Sequence, residues 1–368
     1  MTISFGGRSL LRSLQRWYWL ALFLLTTSAL ALAPAHAAAE TIEKFRIAWT
    51  TYPGWMPWFY AEQHGIIQKW AAKYHIAIEL VHQENYLDSV RRYTAGEFDG
   101  CAMTNMDALT IPATAGLDST ALIIGDFSNG NDGIVLKNRQ QMNDLVGQSV
   151  HLAVGSVSHY LLARALQTQG FDETDVHIID VPDNQIVSTF ASKTGNAAVT
   201  WNPHLSQLLN QPGSHKVFDS SYIPGEIIDL LVVRSDRLAA HPELGQALTG
   251  AWYEVMAIMS GADRQARQAR TEMGQAAGSD LVGYEAQMVA TRMFYRPLDA
   301  ANFAESPELA KTMRQVAEFV ARHHPSKRPA TPGRLIGIEI PAGSYGDPQN
   351  VKLRFTGHFM RQAATTSP

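Results

Sequence analysis

Acidic and aromatic side chains cluster in the segments that follow the predicted strands of this 368-residue chain. The carboxylates in these segments are Asp107, Asp132, Glu226 and Asp229. The same segments contain Tyr52, Trp55 and Trp201 but no Lys or Arg. A carboxylate accepts N–H bonds in its plane, and an aromatic face attracts a cation. An anion site would instead need an arginine or an open helix N-terminus. The residues therefore predict a site for a small flat cation.

The stretch from Phe98 to Leu109 indicates how such a carboxylate is positioned. Its apolar run 101–103 predicts a short strand covered on both faces. Thr104 and Asn105 can cap a helix that starts near Asp107. Ligands of open α/β sheets bind beyond the carboxyl ends of strands, next to helix N-termini. A carboxylate at this end, which normally attracts anions, favours a ligand that is cationic or rich in hydrogen-bond donors.

Short polar side chains complete the predicted site and would bond the remaining donors of the ligand. They are Asn105, Ser128, Asn129, Ser158, His159 and Asn202. Each has a structural alternative, because Ser, Asn and His side chains also cap helices and close turns. Asp107 could likewise be only a helix cap, and Trp55 could simply fill the turn against the core. The residues alone leave both interpretations open.

The order of elements predicts an α/β fold with mostly parallel sheets. Strand patterns alternate with helical patterns in the first part of the chain, where Asn85 is a candidate N-cap, and helices dominate from Pro242 onward. The helices predicted there cover 242–259, about 264–277, 281–294 and 307–323. Two segments, 121–137 and 225–234, look like crossings between lobes, and two crossings make a hinge with a cleft. The expected division is one lobe from 42–127 plus 228–368 and a second lobe from 128–227.

The N-terminal segment predicts export. Three arginines precede an apolar run at 17–32, and residues 35–37 (Ala-His-Ala) have the pattern of a signal-peptidase site. We expect residues 1–37 to be a cleaved signal peptide; an uncleaved anchor is the alternative. The single cysteine, Cys101, is far from this site, so neither a lipoprotein nor an internal disulfide is expected. The predicted location is the periplasm.

Composition and charge narrow the class of function. Hydrophobic residues at 46% and charged residues at 17% are typical of a packed globular protein. Without the three arginines of the predicted signal peptide, 27 Lys+Arg stand against 34 Asp+Glu, a net charge of −7. This balance argues against nucleic acid and anionic lipid as partners. The chain has no G-x-S-x-G, P-loop or H-E-x-x-H pattern. We therefore expect no enzymatic activity, no cofactor and no metal.

Five motifs carry a resemblance to a known family: GCAMTNMDALTIP, ALIIGDFSNGNDGIVLK, SVSHYLLARAL, TWNPHLS and FDSSYIPGEIIDLLVV. With them, the exported part of the chain resembles the periplasmic substrate-binding proteins of ABC importers. It is similar to the group that includes the nitrate-, sulfonate- and taurine-binding proteins. Within this group it looks like the branch found beside urea carboxylase genes, which is associated with urea and guanidine uptake.

The resemblance implies a type II periplasmic-binding-protein fold, in which two α/β lobes close around one small molecule. It also implies an ABC permease and its ATPase subunit as partners, and a monomeric protein. The positions that match the ligand loops of the family are 52–58, 104–107, 156–160 and 201–202. One departure stands out: acidic and aromatic residues occupy positions where the sulfonate- and nitrate-binding relatives keep a positive charge or free helix amides.

The expected ligand is guanidinium or a close derivative. Asp107 and Asp229, with Glu226, would accept its in-plane N–H bonds. Trp55 or Trp201 would stack on its face. Other ligands remain possible on the same fold, namely neutral urea, a short amide, or an anion of the nitrate or sulfonate type. An enzyme similar to the pyrimidine-forming relatives of this fold, and a sensor that docks a membrane receptor, are the alternatives from other classes.

Overall fold

A computed structural model describes residues 1–2, 42–193, 195–323 and 336–365. The predicted signal peptide, apart from its first two residues, lies outside this range. All the described strands and helices belong to the compact unit formed by residues 43–368. None of the described helices has both the length and the apolar character that crossing a membrane requires.

The described strands form a nine-stranded and a five-stranded sheet. In chain order they are β1 (Lys44–Thr50), β2 (Ala77–Gln83), β3 (Gly100–Thr104), β4 (Ser119–Ser128), β5 (Asp132–Lys137), β6 (Ser149–Leu152), β7 (His177–Asp180), β8 (Ala197–Trp201), β9 (Ser214–Asp219), β10 (Ile228–Arg234), β11 (Thr291–Met293), β12 (Gly337–Ile340), β13 (Gly343–Tyr345) and β14 (Val351–Phe355). The larger sheet has the order β13-β12-β14-β4-β10-β3-β1-β2, with β11 paired to β4. The smaller sheet has the order β7-β6-β8-β5-β9.

Helices connect and cover these strands. They are α1 (Met56–Gln63), α2 (Ile66–Lys73), α3 (Tyr86–Thr94), α4 (Asn105–Ala108), α5 (Val157–Thr168), α6 (Ile186–Ala191), α7 (His204–Leu209), α8 (Ser235–Ala240), α9 (Pro242–Met259), α10 (Arg264–Ala276), α11 (Leu281–Val289), α12 (Pro297–Ala304), α13 (Pro307–His323) and α14 (His358–Thr365). Short 3-10 turns, among them Pro53–Trp55 and Glu173–Asp175, lie in the connections.

Both sheets are mixed, whereas the sequence predicted mostly parallel sheets. In the larger sheet, β1 is parallel to β2 and β3, but β10 is antiparallel to β3 and β4. In the smaller sheet, β6 is parallel to β7 and β8, but β5 is antiparallel to β8 and β9. Alternating strands and helices predict parallel pairs only where a helical crossover joins the two strands. The strands β5 and β10 enter their sheets directly from the other sheet, so the rule does not apply to them.

The chain passes between the sheets twice. It leaves the larger sheet after β4 and returns from the smaller sheet between β9 and β10. The predicted lobe boundaries, 127/128 and 227/228, lie next to these two connections, at the end of β4 and the start of β10. The lobe division itself stays a prediction. Residues 101–103 of β3 are fully buried, as expected for a strand covered on both faces.

The helices of the second half start where the sequence predicts. Both α9 and α13 have the predicted limits, and each has proline as its first residue. The helix predicted over 281–294 is wrong in its last turn, because α11 ends at Val289 and the next residues form β11. That strand pairs with β4 in the larger sheet. Pairing of this kind depends on a distant strand and leaves no local sequence signal.

Candidate functional site

A small cavity lies between strand ends of the two sheets. Its empty space is about 270 Å³, part of it open to solvent. It is lined by Tyr52, Trp55, Tyr86, Thr104, Asp132, Val157, Trp201, Ile227 and Asp229. This limited space suits only a ligand of a few heavy atoms.

A wider groove lies on the surface between α2, α9 and α14 and encloses about 1300 Å³, including open solvent. Its acidic residue, Glu254, already accepts hydrogen bonds from Lys69 and from the indole of Trp70. The groove also lies away from the strand ends, where open α/β sheets bind their ligands. We place the candidate site in the smaller cavity.

The strand register brings the polar side chains of the cavity together. Asp229 of β10 pairs with Thr104 of β3 on one side and with Asp126 of β4 on the other. In the smaller sheet, Asp132 of β5 pairs with Trp201 of β8. One row of residues across each sheet therefore supplies the acidic walls of the cavity.

Four aromatic rings form a continuous wall beside these carboxylates. The ring centroids of Tyr52 and Trp55 are 5.1 Å apart, and those of Trp55 and Tyr86 are 5.6 Å apart. Tyr86 in turn contacts Trp201 of the smaller sheet edge-on at 5.6 Å. Such rings present negative faces that attract a cation, most strongly where water is excluded.

Several carboxylate oxygens around the cavity are buried without a hydrogen-bond partner among the described residues. They are both oxygens of Asp126 and one oxygen each of Asp107 and Asp229. None of the residues that line the cavity is Lys or Arg. An unpaired buried carboxylate costs several kcal/mol, so a folded protein keeps such a cluster only where a proton or a bound cation neutralises it.

Burial raises the pKa of each of these carboxyl groups. The pKa rises to about 6 for Asp107, to about 7 for Asp126 and to about 7 for Asp132. The pKa of Asp229 lies well above its usual range, first because of burial and then because the Asp126 carboxylate is close. Near neutral pH the site therefore holds protons that an incoming cation can displace.

Asp107 positions Tyr86 and does not itself line the cavity. Its Oδ2 accepts hydrogen bonds from the hydroxyls of Tyr86 at 2.6 Å and Thr104 at 2.9 Å. Burial raises the pKa of Asp107, and the backbone N–H of Val157, at the start of α5, acts in the opposite direction. Asp107 thus occupies the helix end that an anionic ligand would use.

Four predicted site residues line the cavity: Tyr52, Trp55, Trp201 and Asp229. Ser158 follows the lining residue Val157 in the first turn of α5, and its buried hydroxyl has no partner within the described ranges. Their roles toward a ligand stay predictions.

Glu226 is committed to a different contact. Its carboxylate accepts hydrogen bonds from Arg164 at 2.7 and 2.9 Å and from the hydroxyl of Tyr160 at 2.7 Å. Because the arginine fork already balances the charge of this carboxylate, Glu226 is not available to neutralise a cationic ligand. We therefore leave Glu226 out of the proposed ligand contacts, although the sequence placed it there.

The remaining predicted polar residues hold the connections between the sheets. Asn105 bonds the backbone at the start of β10 through both ends of its amide. Ser128 bonds a serine hydroxyl of the second connection, and the backbone N–H of Asn129 bonds the end of α11. The amide of Asn202 donates to Asn131 at 2.6 Å. These side chains shape the site without lining the cavity.

His159 belongs to a separate cluster with Glu173 and His323. All three side chains are of types that can bind a metal ion, and the structure brings them close together. Every ring nitrogen of this cluster already has a hydrogen-bond partner. The cluster is therefore an ion-pair network in this structure, and His159 is turned away from the cavity.

Sequence reasoning missed three residues of the site. Tyr86 is the first residue of α3 and directly follows the N-cap Asn85, a few residues after the end of β2. A search of the residues that follow each strand, applied to β2, would therefore have found it. Asp126 interrupts the apolar run of β4, and a carboxylate inside a buried strand is itself a signal. Asp132 was noted among the carboxylates of the crossing but was not assigned to the ligand.

Gly54 allows Asp126 to approach the aromatic turn. A Cβ at this position would lie 2.4 Å from Oδ2 of Asp126 and 2.8 Å from a ring carbon of Tyr52. We expect Gly54→Ala to lower the free energy of unfolding by about 1–3 kcal/mol, as overpacking does, and to weaken ligand binding. Denaturant unfolding measures the first effect, and adding Asp126→Ala should restore part of the loss. Unchanged stability in the single variant would contradict this packing.

Solved structures with the same fold are periplasmic binding proteins. The alkanesulfonate-binding protein of Xanthomonas axonopodis pv. citri, bound to MOPS, matches with a TM-score of 0.63 at 15% identity, covering 78% of this chain and 96% of that chain. The nitrate-binding protein of Synechocystis matches with a TM-score of 0.56 at 13% identity, covering 89% and 98%. These likenesses confirm the predicted two-lobed α/β fold class.

Relatives at the sequence level match parts of the chain. A putative aliphatic sulfonates-binding protein of Escherichia coli is 31% identical over 155 residues, which are 42% of this chain and 46% of that protein. The taurine-binding periplasmic protein of the same organism is 27% identical over 130 residues, 34% of this chain and 40% of that protein. The chain thus spans less than half the length of these relatives.

A family model matches residues 39–273, which is more than half of the chain and includes the aromatic turn, both acidic rows and α5. The chain therefore belongs to the NMT1-like family.

Proposed function

We propose that this protein is the periplasmic solute-binding component of an ABC importer and that it captures guanidinium or a close derivative. The observation that carries the ligand class is the set of buried carboxylates without a cationic partner, next to a wall of aromatic rings. The fold and the sulfonate- and taurine-binding relatives support a transport role. The predicted signal peptide, residues 1–37, supports the periplasm.

Guanidinium fits the two acidic walls of the cavity. It is flat, it carries its positive charge at every pH that a protein survives, and its N–H donors point outward in one plane. Asp132 from the smaller sheet and Asp229 from the larger sheet would accept these bonds from opposite edges. Trp55, with Tyr86 or Trp201, would cover a face of the ion.

The expected affinity is micromolar. Each charge-assisted hydrogen bond contributes roughly 1.5–3 kcal/mol, and a desolvated cation–π contact contributes about 2 kcal/mol. After the costs of ordering the ligand and closing the site, a few such contacts leave about −8 kcal/mol.

Binding would be coupled to closure of two lobes, residues 42–127 plus 228–368 and residues 128–227. A cation held by Asp132 and Asp229 joins both sheets, so it stabilises the closed arrangement over the open one. A permease with its ATPase subunit would read this closed form as the loaded state. This role requires binding and release, not turnover.

The sulfonate-binding relatives carry ligand names that describe anions, and an anion would meet the carboxylates of Asp132 and Asp229 here without a lining Lys or Arg to balance its charge. Neutral urea needs donors and acceptors in balance, and it would leave the carboxylates of the cavity unpaired. Among the ligands associated with the urea-carboxylase branch that the motifs resemble, these arguments favour guanidine over urea.

Calorimetry of residues 38–368 with guanidinium, urea, nitrate and taurine tests the proposal. We expect saturable binding of guanidinium in the micromolar range and binding at least about 100-fold weaker for the other three. Taurine or nitrate binding as tight as that of guanidinium would overturn the assignment of the ligand but leave a transport role in place. Turnover of any of the four ligands would overturn the binding-protein role.

A further inference from the structure

A His–Glu–His bridge joins the two sides of the molecule outside the cavity. His323 ends α13, which packs against the turn Leu109–Ala113 and α12 on the side of the larger sheet, whereas Glu173 and His159 lie between strands of the smaller sheet. The Nε2 atom of His323 is 2.9 Å from Oε2 of Glu173. The Nε2 atom of His159 is 2.8 Å from Oε1 of the same carboxylate. One half-buried glutamate thus holds a histidine from each side.

The hydrogen-bond partners assign the protons of the bridge. Nδ1 of His323 donates to the backbone carbonyl of Phe319 at 2.9 Å, so a second proton must lie on Nε2 for the contact with Glu173, and the ring is an imidazolium. Nδ1 of His159 accepts from the backbone N–H of Gly155 at 3.2 Å. His159 therefore donates to Glu173 from Nε2. The charged contact across the two sides is that between His323 and Glu173.

Packing makes the bridge part of a larger contact between the two sides. The ring of Phe319 on α13 meets the rings of His159 at 5.3 Å and Tyr160 at 5.4 Å, both on α5. Phe319 also lies 4.1 Å from the ring of its neighbour His323. Loss of the bridge would therefore loosen an interface in which α13 lies on α5.

The charged side chains on the elements that pack against α13 are already paired. Its packing partners are the turn Leu109–Ala113, which has no charged residue, α12, whose Asp299 is paired with Arg296, and α5, whose Arg164 is paired with Glu226. On α13 itself, the charge that acts on His323 is Arg322, which disfavours a second positive charge. Glu173 is thus the favourable charge that holds the imidazolium.

We propose that His323, Glu173 and His159 form a proton-dependent latch that holds the two lobes closed over the cavity. This inference rests on the proposed closure of the lobes around a ligand. It adds a control by pH that is separate from the carboxylates of the cavity.

The direction of this control follows from the pKa values. The hydrogen bond with Glu173 raises the pKa of His323 above its ordinary value, against desolvation and Arg322. Half-burial alone would raise the pKa of Glu173, but hydrogen bonds from His159 and His323 lower it to about 2. Glu173 therefore stays charged throughout. The latch is complete below about pH 6.5, the ordinary pKa of histidine, and it weakens as pH rises through the raised pKa of His323.

The test compares guanidinium affinity in the parent and in His323→Gln between pH 6 and pH 9. The ratio of the two dissociation constants cancels the effect of the cavity carboxylates, which both proteins share. We expect His323→Gln to bind about two- to fivefold more weakly at pH 6 and equally well at pH 9. Glu173→Gln should behave in the same way and serves if the first variant folds poorly. A ratio that does not change with pH would overturn the latch.

The control variant is His64→Gln. His64 also pairs with a glutamate, Glu272, at 2.7 Å, but both residues lie on the larger-sheet side. Its affinity ratio to the parent should stay near one at every pH.

Small-angle scattering of the unliganded proteins separates the latch from the identity of the ligand. The radius of gyration of the parent should increase from pH 6 to pH 9, and that of His323→Gln should be larger at pH 6 and constant. If guanidinium fails to bind while this difference appears, the ligand is wrong and the latch stands. Equal profiles for the two proteins would overturn the latch whatever the ligand.

Discussion

Asp229→Asn is expected to weaken guanidinium binding by about 10- to 150-fold, and Asp132→Asn by a similar factor. Each substitution removes one charge-assisted hydrogen bond, which contributes roughly 1.5–3 kcal/mol. Both residues line the cavity, and both are almost fully buried, since 3% of the surface of each residue is exposed. Calorimetry on each variant measures the loss.

Asp132→Asn should also stabilise the unliganded protein at pH 8, where the Asp132 carboxyl is ionised, because it removes a buried charge that no described cation pairs with. The melting temperature should rise by roughly 2–4 °C for each kcal/mol gained. This opposite effect on binding and stability distinguishes a ligand contact from a structural role.

Asp88→Asn is the matched control for these variants. Asp88 is exposed on α3 and pairs with Arg91 on the surface. Its loss should leave both affinity and melting temperature within experimental error. If Asp229→Asn instead lowered stability and left affinity unchanged, the acidic row would be structural and the cation site would be wrong.

Guanidinium affinity is expected to rise steeply as pH increases from about 5 to about 8. Burial raises the pKa of Asp107 to about 6 and those of Asp126 and Asp132 to about 7. Below these values the carboxyls carry protons, and the cation must displace them. For each proton that guanidinium displaces, its affinity rises by up to about tenfold per pH unit in this range. At pH 8 the carboxyls other than Asp229 are already ionised and the dependence flattens.

Proton release is the direct sign of this exchange. Calorimetry in two buffers of different ionisation enthalpy should show protons leaving the protein on guanidinium binding at pH 6 and fewer at pH 8. A neutral ligand such as urea would release none. Proton uptake on guanidinium binding, or an affinity that falls with rising pH in His323→Gln, would contradict the carboxylate site.

The unliganded protein should show the reverse trend in stability. The folded-state pKa values of these carboxyls lie above the unfolded value of about 3.9, so the folded state binds more protons between pH 4 and pH 7. Stability must then fall as pH rises through this window. Saturating guanidinium should restore most of the loss at pH 8.

Much of the fold was predictable because its signals are local. The strand Lys44–Thr50 and the helices Pro242–Met259 and Pro307–His323 follow from hydrophobic periodicity and from proline at the helix start. The N-cap role of Asn85 is confirmed by its side chain, which accepts the backbone N–H of Asp88.

The mixed sheets were not predictable in the same way. Whether β5 and β10 run parallel or antiparallel to their neighbours depends on how the chain passes between the two sheets. The residues of these two strands carry no signal of that connection. The strand β11 was missed for the same reason, since its partner β4 lies more than 150 residues earlier in the sequence.

The acidic and aromatic character of the cavity came from the sequence, but the assignment of individual side chains did not. Glu226 and Asp229 are three residues apart, yet one meets Arg164 and the other lines the cavity. The register of β10 against β3 and β4 places Asp229 at the cavity, and the sequence does not show this register. Asp126 lies in the predicted crossing 121–137 but was not assigned to the site, since no local signal shows that β10 places Asp229 beside it.

The central claim is that a flat cation bridges the acidic rows of the two sheets. A crystal structure of residues 38–368 grown with guanidinium at pH 8 tests this claim most directly. We expect a planar ligand with its nitrogens within hydrogen-bond distance of both Asp132 and Asp229 and with one face against Trp55 or Trp201. A ligand bound elsewhere, or an anion held at the start of α5 with Asp107 displaced, would contradict the account.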